Sequence, residues 1–270
     1  MGRLRSSMPQ TVHDDRRFVT ALARGLDVLK CFEAHERWVP HQEIVRRTGL
    51  PSATVSRLTF TLVGLGYLKH RPAAGEYALS AAVLSLGFRV LSSFDVGHVA
   101  RPFMQALAEA SQAAVSLGVR HELSVVYVAN CRGTSLLTLG LDVGARLPIA
   151  VTAMGRAVLC ASPEAERERL YRSLQAADPR NWSRCKAGLS RAATMFKERG
   201  FVASESEWRA DISAIGTAVH IGDGREPLGL TIGGPSNHLY GRFLHDELGP
   251  KLVQTARDIT ATVHAGRWDG

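Results

Sequence analysis

Residues 40–77 constrain this chain most, because they read as two helices joined by a tight turn and followed by a short hairpin. In the first helix Ile44 and Val45 supply an apolar face, and Gln42, Glu43, Arg46 and Arg47 a wet one. Thr48-Gly49-Leu50-Pro51 breaks it: glycine takes the left-handed conformation that ends a helix, and proline begins one but cannot continue one. Beyond the break, Val55, Leu58, Leu62 and Leu65 fall on one helical stripe, while Ser52, Thr54, Ser56, Arg57, Thr59 and Thr61 form the other face. Short hydroxyls and an Arg on a helix anchored by its apolar back suit a DNA major groove, about 12 Å wide.

Taken alone, such a pair is more simply a helical hairpin with a solvated face. The continuation changes that reading. Gly64 and Gly66 end the second helix, Tyr67–Arg71 reads as a strand, Pro72–Gly75 as a turn and Glu76–Leu79 as the returning strand. A helix-turn-helix followed directly by a hairpin with Lys69, His70 and Arg71 near its tip is a winged helix. Its cations can reach phosphate or the minor groove beside the recognition helix. The charge agrees. Residues 1–80 carry 12 of the 33 basic and 7 of the 25 acidic side chains, a net +5 of the chain's +8. A basic excess on the segment that resembles a DNA reader is what a polyanion-binding surface requires.

A length of 270 residues with 45% hydrophobic content suggests two packed domains. Residues 1–17 read as a disordered polar arm. Phe18–Phe32 reads as an amphipathic helix with Leu22, Leu26 and Leu29, and beside them Val28 and Phe32, toward the core. Arg24 lies outward, a phosphate contact or a solvated charge. This gives a DNA-binding domain over 18–80 and a linker helix over 81–95. The linker's Ala/Leu/Val content is too apolar to lie bare, so it packs on a second copy of itself or on the next domain. A homodimer matches a two-fold, pseudo-palindromic operator in double-stranded DNA.

Residues 96–270 change character. Helices are expected at Val99–Ala110, Met154–Ala161, Pro163–Leu174, Lys186–Arg199 and Leu239–His264. Strands are expected at Ala113–Val119, Val125–Cys131, Ala214–Ile221 and Leu228–Gly233, with Leu137–Leu141 undecided. The pattern is an α+β domain around a mostly antiparallel sheet. No apolar run approaches the roughly 18 residues of a membrane span, and no apolar leader opens the chain, so a cytoplasmic protein is expected. Cys31, Cys131, Cys160 and Cys185 lie far apart without a Cys-x-x-Cys pair, which points to reduced thiols.

Enzyme signatures are missing: no Gly-x-Ser-x-Gly elbow, no phosphate-binding Gly-x-x-x-x-Gly-Lys loop and no His-Glu-x-x-His. His238 and His245 stand two helical turns apart with no Cys or carboxylate to complete a ligand set, so neither metal nor cofactor is expected. Glu205, Glu207 and Asp211 cluster, but as a surface feature or a loop support rather than an acid–base pair.

Three elements together resemble the IclR (isocitrate lyase regulator) family of bacterial transcription regulators, over residues 18–265. Leu50-Pro51-Ser52-Ala53-Thr54-Val55-Ser56-Arg57-Leu58-Thr59 is similar to the family's recognition helix, Leu-Pro-Lys-Ser-Thr-Val-x-Arg-Leu-Leu. Here Ser52 replaces a Lys, Thr59 a Leu, and Phe60 stands where a small residue is usual. Leu147–Leu159 is similar to the family's Leu-Pro-x-x-x-[Ser/Thr]-Ala-x-Gly-[Lys/Arg]-Ala element. Gly200, Ser204, Glu207, Ala214, Ile215, Gly216, Val219 and His220 follow the family signature, with Ile221 in place of its closing Asp or Asn.

The resemblance implies an N-terminal winged helix-turn-helix domain, a linker helix and a C-terminal GAF-like effector-binding domain. The effector would be a small organic acid, aromatic carboxylates included, and dimers would pair again into tetramers. It maps effector contacts onto Leu147, Ala153, Met154 and Gly155, then onto Ser204, Ser206, Ile212, Ala214 and Gly216, and onto Thr231 and Gly233. Small residues let a ligand approach the backbone, the helix opening near Met154 can hold a carboxylate, and the rest wall an apolar pocket. The competing explanation of each small residue is tight sheet packing. For DNA, the expected contacts are Arg57 to a base edge with Ser52, Thr54, Ser56 and Thr59 assisting, and Arg24, Arg46, Arg47, Lys69 and Arg71 on phosphates. The alternative class is a cytosolic metabolite-binding enzyme whose winged helix serves protein contacts.

Overall fold

The computed structural model describes residues 15–33, 36–93, 96–134, 140–222 and 225–265. The chain divides into two compact units between Ser93 and Phe94. The expected arm falls almost wholly outside the described residues, as do most of 137–141 and part of the 222–227 turn.

The first unit runs α1 (Thr20–Lys30), β1 (Val39–Pro40), α2 (His41–Thr48), α3 (Ser52–Gly64), β2 (Leu68–Arg71), β3 (Glu76–Leu79) and α4 (Ala81–Ser93). Gly49 does take the left-handed conformation, φ +66°, and its N–H returns to the Val45 carbonyl, which ends α2. The hairpin β2–β3 pairs Leu68 with Leu79 and Arg71 with Glu76, and β1 adds a short third strand on β3. Val28, Cys31, Val39, Ile44, Val55, Leu62 and Leu68 form the core.

Three residues depart from the expected apolar faces. Leu22 is 63% exposed and Leu26 is exposed too, while Val28 is fully buried. Helix α1 rests on α3 through Gly25 and Val28, and Leu58 comes within 3.9 Å of where a Gly25 side chain would begin. Leu65 also lies in solvent, because α3 ends one residue earlier and the chain turns at Gly66, φ +79°.

The second unit runs α5 (Val96–Ser111), β4 (Ala114–His121), β5 (Ser124–Arg132), β6 (Arg146–Pro148), α6 (Ala153–Ala161), α7 (Glu164–Ala177), α8 (Trp182–Arg199), β7 (Val202–Glu205), β8 (Ile212–Val219) and β9 (Leu228–Pro235). A π-helical turn (Phe243–Leu248) then leads into α9 (Gly249–Ala265). The sheet order is β6-β5-β4-β9-β8-β7 and every neighbouring pair is antiparallel. Helices α5 and α9 bury Met104, Leu252 and Ile259 with the sheet's Val115, Leu117 and Ile232. Helix α6 contributes Met154 and Val158 to a separate cluster with Val125, Tyr127 and Leu147.

Strand β5 serves both clusters because its register against β4 slips at Val128: Leu117 faces Ala129, but Gly118 faces Tyr127. The extra residue changes the phase of the side-chain alternation, sending Tyr127 toward α6 and Ala129 and Cys131 toward α5. The closing helix is shorter than its periodicity suggests. Gly241 is left-handed (φ +54°), and Pro250 has no N–H to continue a regular ladder back to Asp246, so a π turn precedes α9.

Helix α6 lies on the sheet at backbone distance. A side chain at Gly216 would begin 2.6 Å from the Ala153 carbonyl carbon, and one at Gly155 would begin 2.5 Å from the Ile149 Cα. Neither neighbour is a flexible side chain that could swing aside. Gly216→Ala should therefore cost about 1–3 kcal/mol of stability through overpacking, read as a lower urea midpoint with an unchanged slope.

Candidate functional site

Helix α3 presents two opposed faces. Inward lie Val55, Thr59 and Leu62, with Leu58 partly covered. Thr59 is 0% exposed, with its hydroxyl donated to the Val55 carbonyl at 2.9 Å. The expectation of an outward, DNA-facing Thr59 is therefore corrected. A threonine can sit on the buried face because its hydroxyl bonds back into its own helix, leaving the methyl to pack. Outward lie Ser52, Ala53, Ser56, Arg57 and Phe60, with Thr54 half-buried at the edge. The Ser56 hydroxyl lies 3.1 Å from both His41 Nε2 and the Ser52 carbonyl. The Arg57 guanidinium has no ion pair among the described residues and lies exposed.

The other expected phosphate contacts separate into two kinds. Arg24 and Lys69 are exposed and unpaired among the described residues. Arg47 is only 12% exposed and is held by three acceptors: Glu36 at 2.5 Å, Glu43 at 2.6 Å and the Cys31 carbonyl at 2.8 Å. It ties the segment after α1 to α2, which corrects its assignment to phosphate. Arg46 grips Glu43 through two nitrogens but stays exposed. Hydrogen bonds from Arg46 and then Arg47 hold the Glu43 carboxyl at about 2, well below the usual carboxylate range. Arg71 lies over the Trp38 ring, 4.0 Å from its centroid, and 4.0 Å from Glu76, so its charge is partly engaged near the tip of the wing.

The second unit holds a narrow cavity between α6 and the sheet. Tyr127, Leu141, Leu147, Met154, Trp208 and Ile212 give it apolar walls. Thr152, Ser204 and Thr231 add hydroxyls, and Ala153, Ala214 and Gly233 let the backbone come close. Eight of the eleven expected effector residues thus line one space. Gly155 and Gly216 do not; they are the packing contacts beneath α6. Ser206 stands outside the lining, left-handed at φ +58°, with its hydroxyl 3.2 Å from that of Ser236. Sequence reasoning missed Tyr127, Leu141, Thr152 and Trp208. Thr152 had a visible signal, a helix-capping residue before Ala153, and its oxygen accepts the Gly155 N–H at 3.3 Å.

Among the described residues, no Lys, Arg or His lines the cavity. The Ser204, Thr152 and Thr231 hydroxyls donate to the Val151, Pro148 and Ile215 carbonyls at 2.7–2.9 Å. Their protons are thus committed to main chain, and what they offer a guest is oxygen lone pairs. Burial pushes the Tyr127 phenol up to about 12, so it is neutral at physiological pH.

The loop between β7 and β8, which carries Trp208, is anchored by Glu207. Its carboxylate takes two hydrogen bonds, at 2.7 and 2.9 Å, from Arg156 of α6, itself 4% exposed. Arg156 also donates to the Ala150 carbonyl at 2.8 Å. Glu205 and Asp211 are engaged elsewhere, by His245 and Arg209, and His238 lies 2.9 Å from the Ser111 carbonyl.

Hydrogen bonds from Arg156 lower the Glu207 carboxyl below its ordinary value of 4.5. A depressed folded value means that the pair stabilises fully above that ordinary value, and that this share is lost as pH falls through the lowered one. Glu207→Ala should cost about 2 kcal/mol, below the ~3–5 kcal/mol of a fully enclosed pair because Glu207 is partly open to solvent. The difference from wild type should shrink in urea titrations as the pH is taken below 4.5.

Comparisons with known proteins match both units of the chain. The profile "IclR helix-turn-helix domain" matches residues 21–72, and "Bacterial transcriptional regulator IclR C-terminal" matches 88–261. The HTH-type transcriptional regulator TsaQ1/TsaQ2 of Comamonas testosteroni is 36% identical over 92% of this chain and 90% of its own length. An IclR family transcriptional regulator from Brucella abortus, known as a crystal structure, is 39% identical, with a TM-score of 0.81 over 95% of this chain and 97% of that one. An IclR homolog from Microbacterium hydrocarbonoxydans, crystallised with 4-hydroxybenzoate, shares the fold at a TM-score of 0.73 and 20% identity, over 91% and 100% of the two chains. With two family profiles matched in order along it, this chain belongs to the IclR family of transcriptional regulators, with a helix-turn-helix DNA-binding domain.

Proposed function

We propose that this regulator reads a pseudo-palindromic operator as a homodimer, and that a small hydroxylated aromatic acid in the second unit's cavity adjusts how tightly it binds. The observation that carries the effector reading is the cavity's composition: two aromatic side chains, aliphatic walls and the hydroxyls of Thr152, Ser204 and Thr231 beside the start of a helix, with no cation among the described residues. A carboxylate would meet the N–H groups of Ala153 and Met154 at the start of α6, since Thr152 already accepts that of Gly155. A ligand hydroxyl would donate to the lone pairs of Ser204, Thr152 or Thr231. That division favours a ligand with an acid at one end and a hydroxyl at the other. The homologue bound to 4-hydroxybenzoate supports this class.

The dimer is supported by exposed apolar residues at the start of and along α1, Val19 just before it and Leu22 and Leu26 within it, and by exposed Leu84 and Leu86 on α4. Pairing through that surface into dimers, and of dimers into tetramers, would let the effector alter operator affinity. A coupling of about 1–3 kcal/mol corresponds to roughly 5- to 150-fold. On DNA, Arg57 contacts a base edge, with Ser52, Thr54 and Ser56 assisting, and Arg24, Lys69, Arg71 and Arg46 neutralise phosphates. The chain acts without catalysis of its own, and does so in the cytoplasm.

Arg57→Ala should cost about 1–3 kcal/mol on the operator and relax its sequence preference, whereas Lys69→Ala should weaken all duplexes alike and reduce the salt slope by about one. An unchanged footprint and unchanged mismatch penalties in the Arg57 variant would remove it from the base contacts. In a thermal-shift series, 4-hydroxybenzoate at 100 times its dissociation constant should add about 2.7 kcal/mol. Benzoate, lacking the hydroxyl, should add less, and Trp208→Ala should abolish the response to both. Equal responses to the two acids would overturn the hydroxyl assignment.

A further inference from the structure

The outward face of α3 carries a residue that neither helix stability nor the core explains. Phe60 is 81% exposed. At 100° per residue it lies within about 60° of Ala53, Ser56 and Arg57 around the helix axis, and about 100–160° from the buried Thr59, Val55 and Leu62. An exposed phenyl gains nothing from folding, and an isolated apolar residue at a surface is ordinary. Phe60, however, stands between cationic and hydroxyl side chains at the centre of the face that a helix-turn-helix turns toward DNA. Ala53 precedes it by seven residues and Gly64 follows it by four, and a side chain at Gly64 would meet nothing within 4 Å. The ring therefore projects from a low strip with room for a groove floor on either side.

In the major groove one apolar feature is sequence-specific: the 5-methyl group of thymine. We propose that Phe60 is a specificity-determining residue that packs its ring on a thymine methyl within the half-site, one turn along the helix from the base read by Arg57. This rests on the proposal that α3 is the base-reading helix. Arg57 supplies a donor fork and Phe60 an apolar plate, so the pair selects a base bearing acceptors and, next to it, a base bearing a methyl. Phe60 also lies outside the core, so replacing it leaves Val55, Thr59 and Leu62 untouched.

The test uses the full-length protein and the duplex it selects from a randomised pool. Each thymine of that duplex is replaced in turn by deoxyuridine, which keeps the hydrogen bonds and lacks only the methyl. Wild type should lose about three- to fivefold in affinity at one thymine per half-site, the value of burying one methyl-sized group. Phe60→Ala should bind the thymine duplex more weakly and be indifferent to that replacement, and Phe60→Leu should keep part of the sensitivity. Unaltered thermal unfolding of both variants confirms that the fold is intact. If wild type selects a duplex but ignores every thymine-to-deoxyuridine change, or if Phe60→Ala keeps the same sensitivity, the proposal is overturned and the recognition helix stands. If wild type selects no duplex, the operator reading itself fails. A shift in the free protein's sedimentation on Phe60→Ala would assign the ring to a protein contact and also overturn it.

Discussion

The second unit depends on how closely α6 can approach the sheet. At Gly216 and Gly155 the helix meets main chain rather than side chains, and no rotamer adjustment could accommodate an added carbon there. That approach places Ala153 and Met154 beside β8 and β9, and it brings the opening of a helix to the wall of a cavity instead of to solvent. It also lets Arg156 reach Glu207 across to the β7–β8 loop, so the segment carrying Trp208 is held by the same helix. Cavity, cap and clamp follow from two missing side chains.

Much of this was legible beforehand. Gly49, Pro51 and the Pro72–Gly75 turn punctuate the first unit strongly enough to place α2, α3 and the wing. The antiparallel sheet was readable because β4, β5, β8 and β9 are eight or nine residues long, enough to show their apolar character. Strands β1, β6 and β7, of two to four residues, are too short for any period, and they appear only once partners hold them.

At the sites, the limit of sequence reasoning was rotational. Thr59 carries the chemistry of a surface residue but occupies the buried angle of α3, where its own helix satisfies its hydroxyl. Leu22 and Leu26 form a plausible core stripe, yet the glycine between them, Gly25, offers α3 a closer approach. Arg47 counts as a positive charge in the sequence and as a strut in the fold, because Glu36, eleven residues before it, meets it in space. Gly155 and Gly216 matched a pattern for reasons of packing, and Tyr127 and Trp208 carried no pattern that would place them in the cavity.

The slip at Val128 has a consequence for what the second unit can tolerate. Tyr127 and Ala129 serve opposite layers because one residue between them is skipped in the pairing. Val128 itself packs partly on the main core, so its side chain is constrained even though its backbone is skipped. Deleting it would leave Tyr127 across from Gly118 and Ala129 across from Leu117 in a regular ladder, whereas pairing it would turn the phenol out of the cavity and into the seam with the terminal helices. The fold can spare the extra residue but cannot admit it to the ladder.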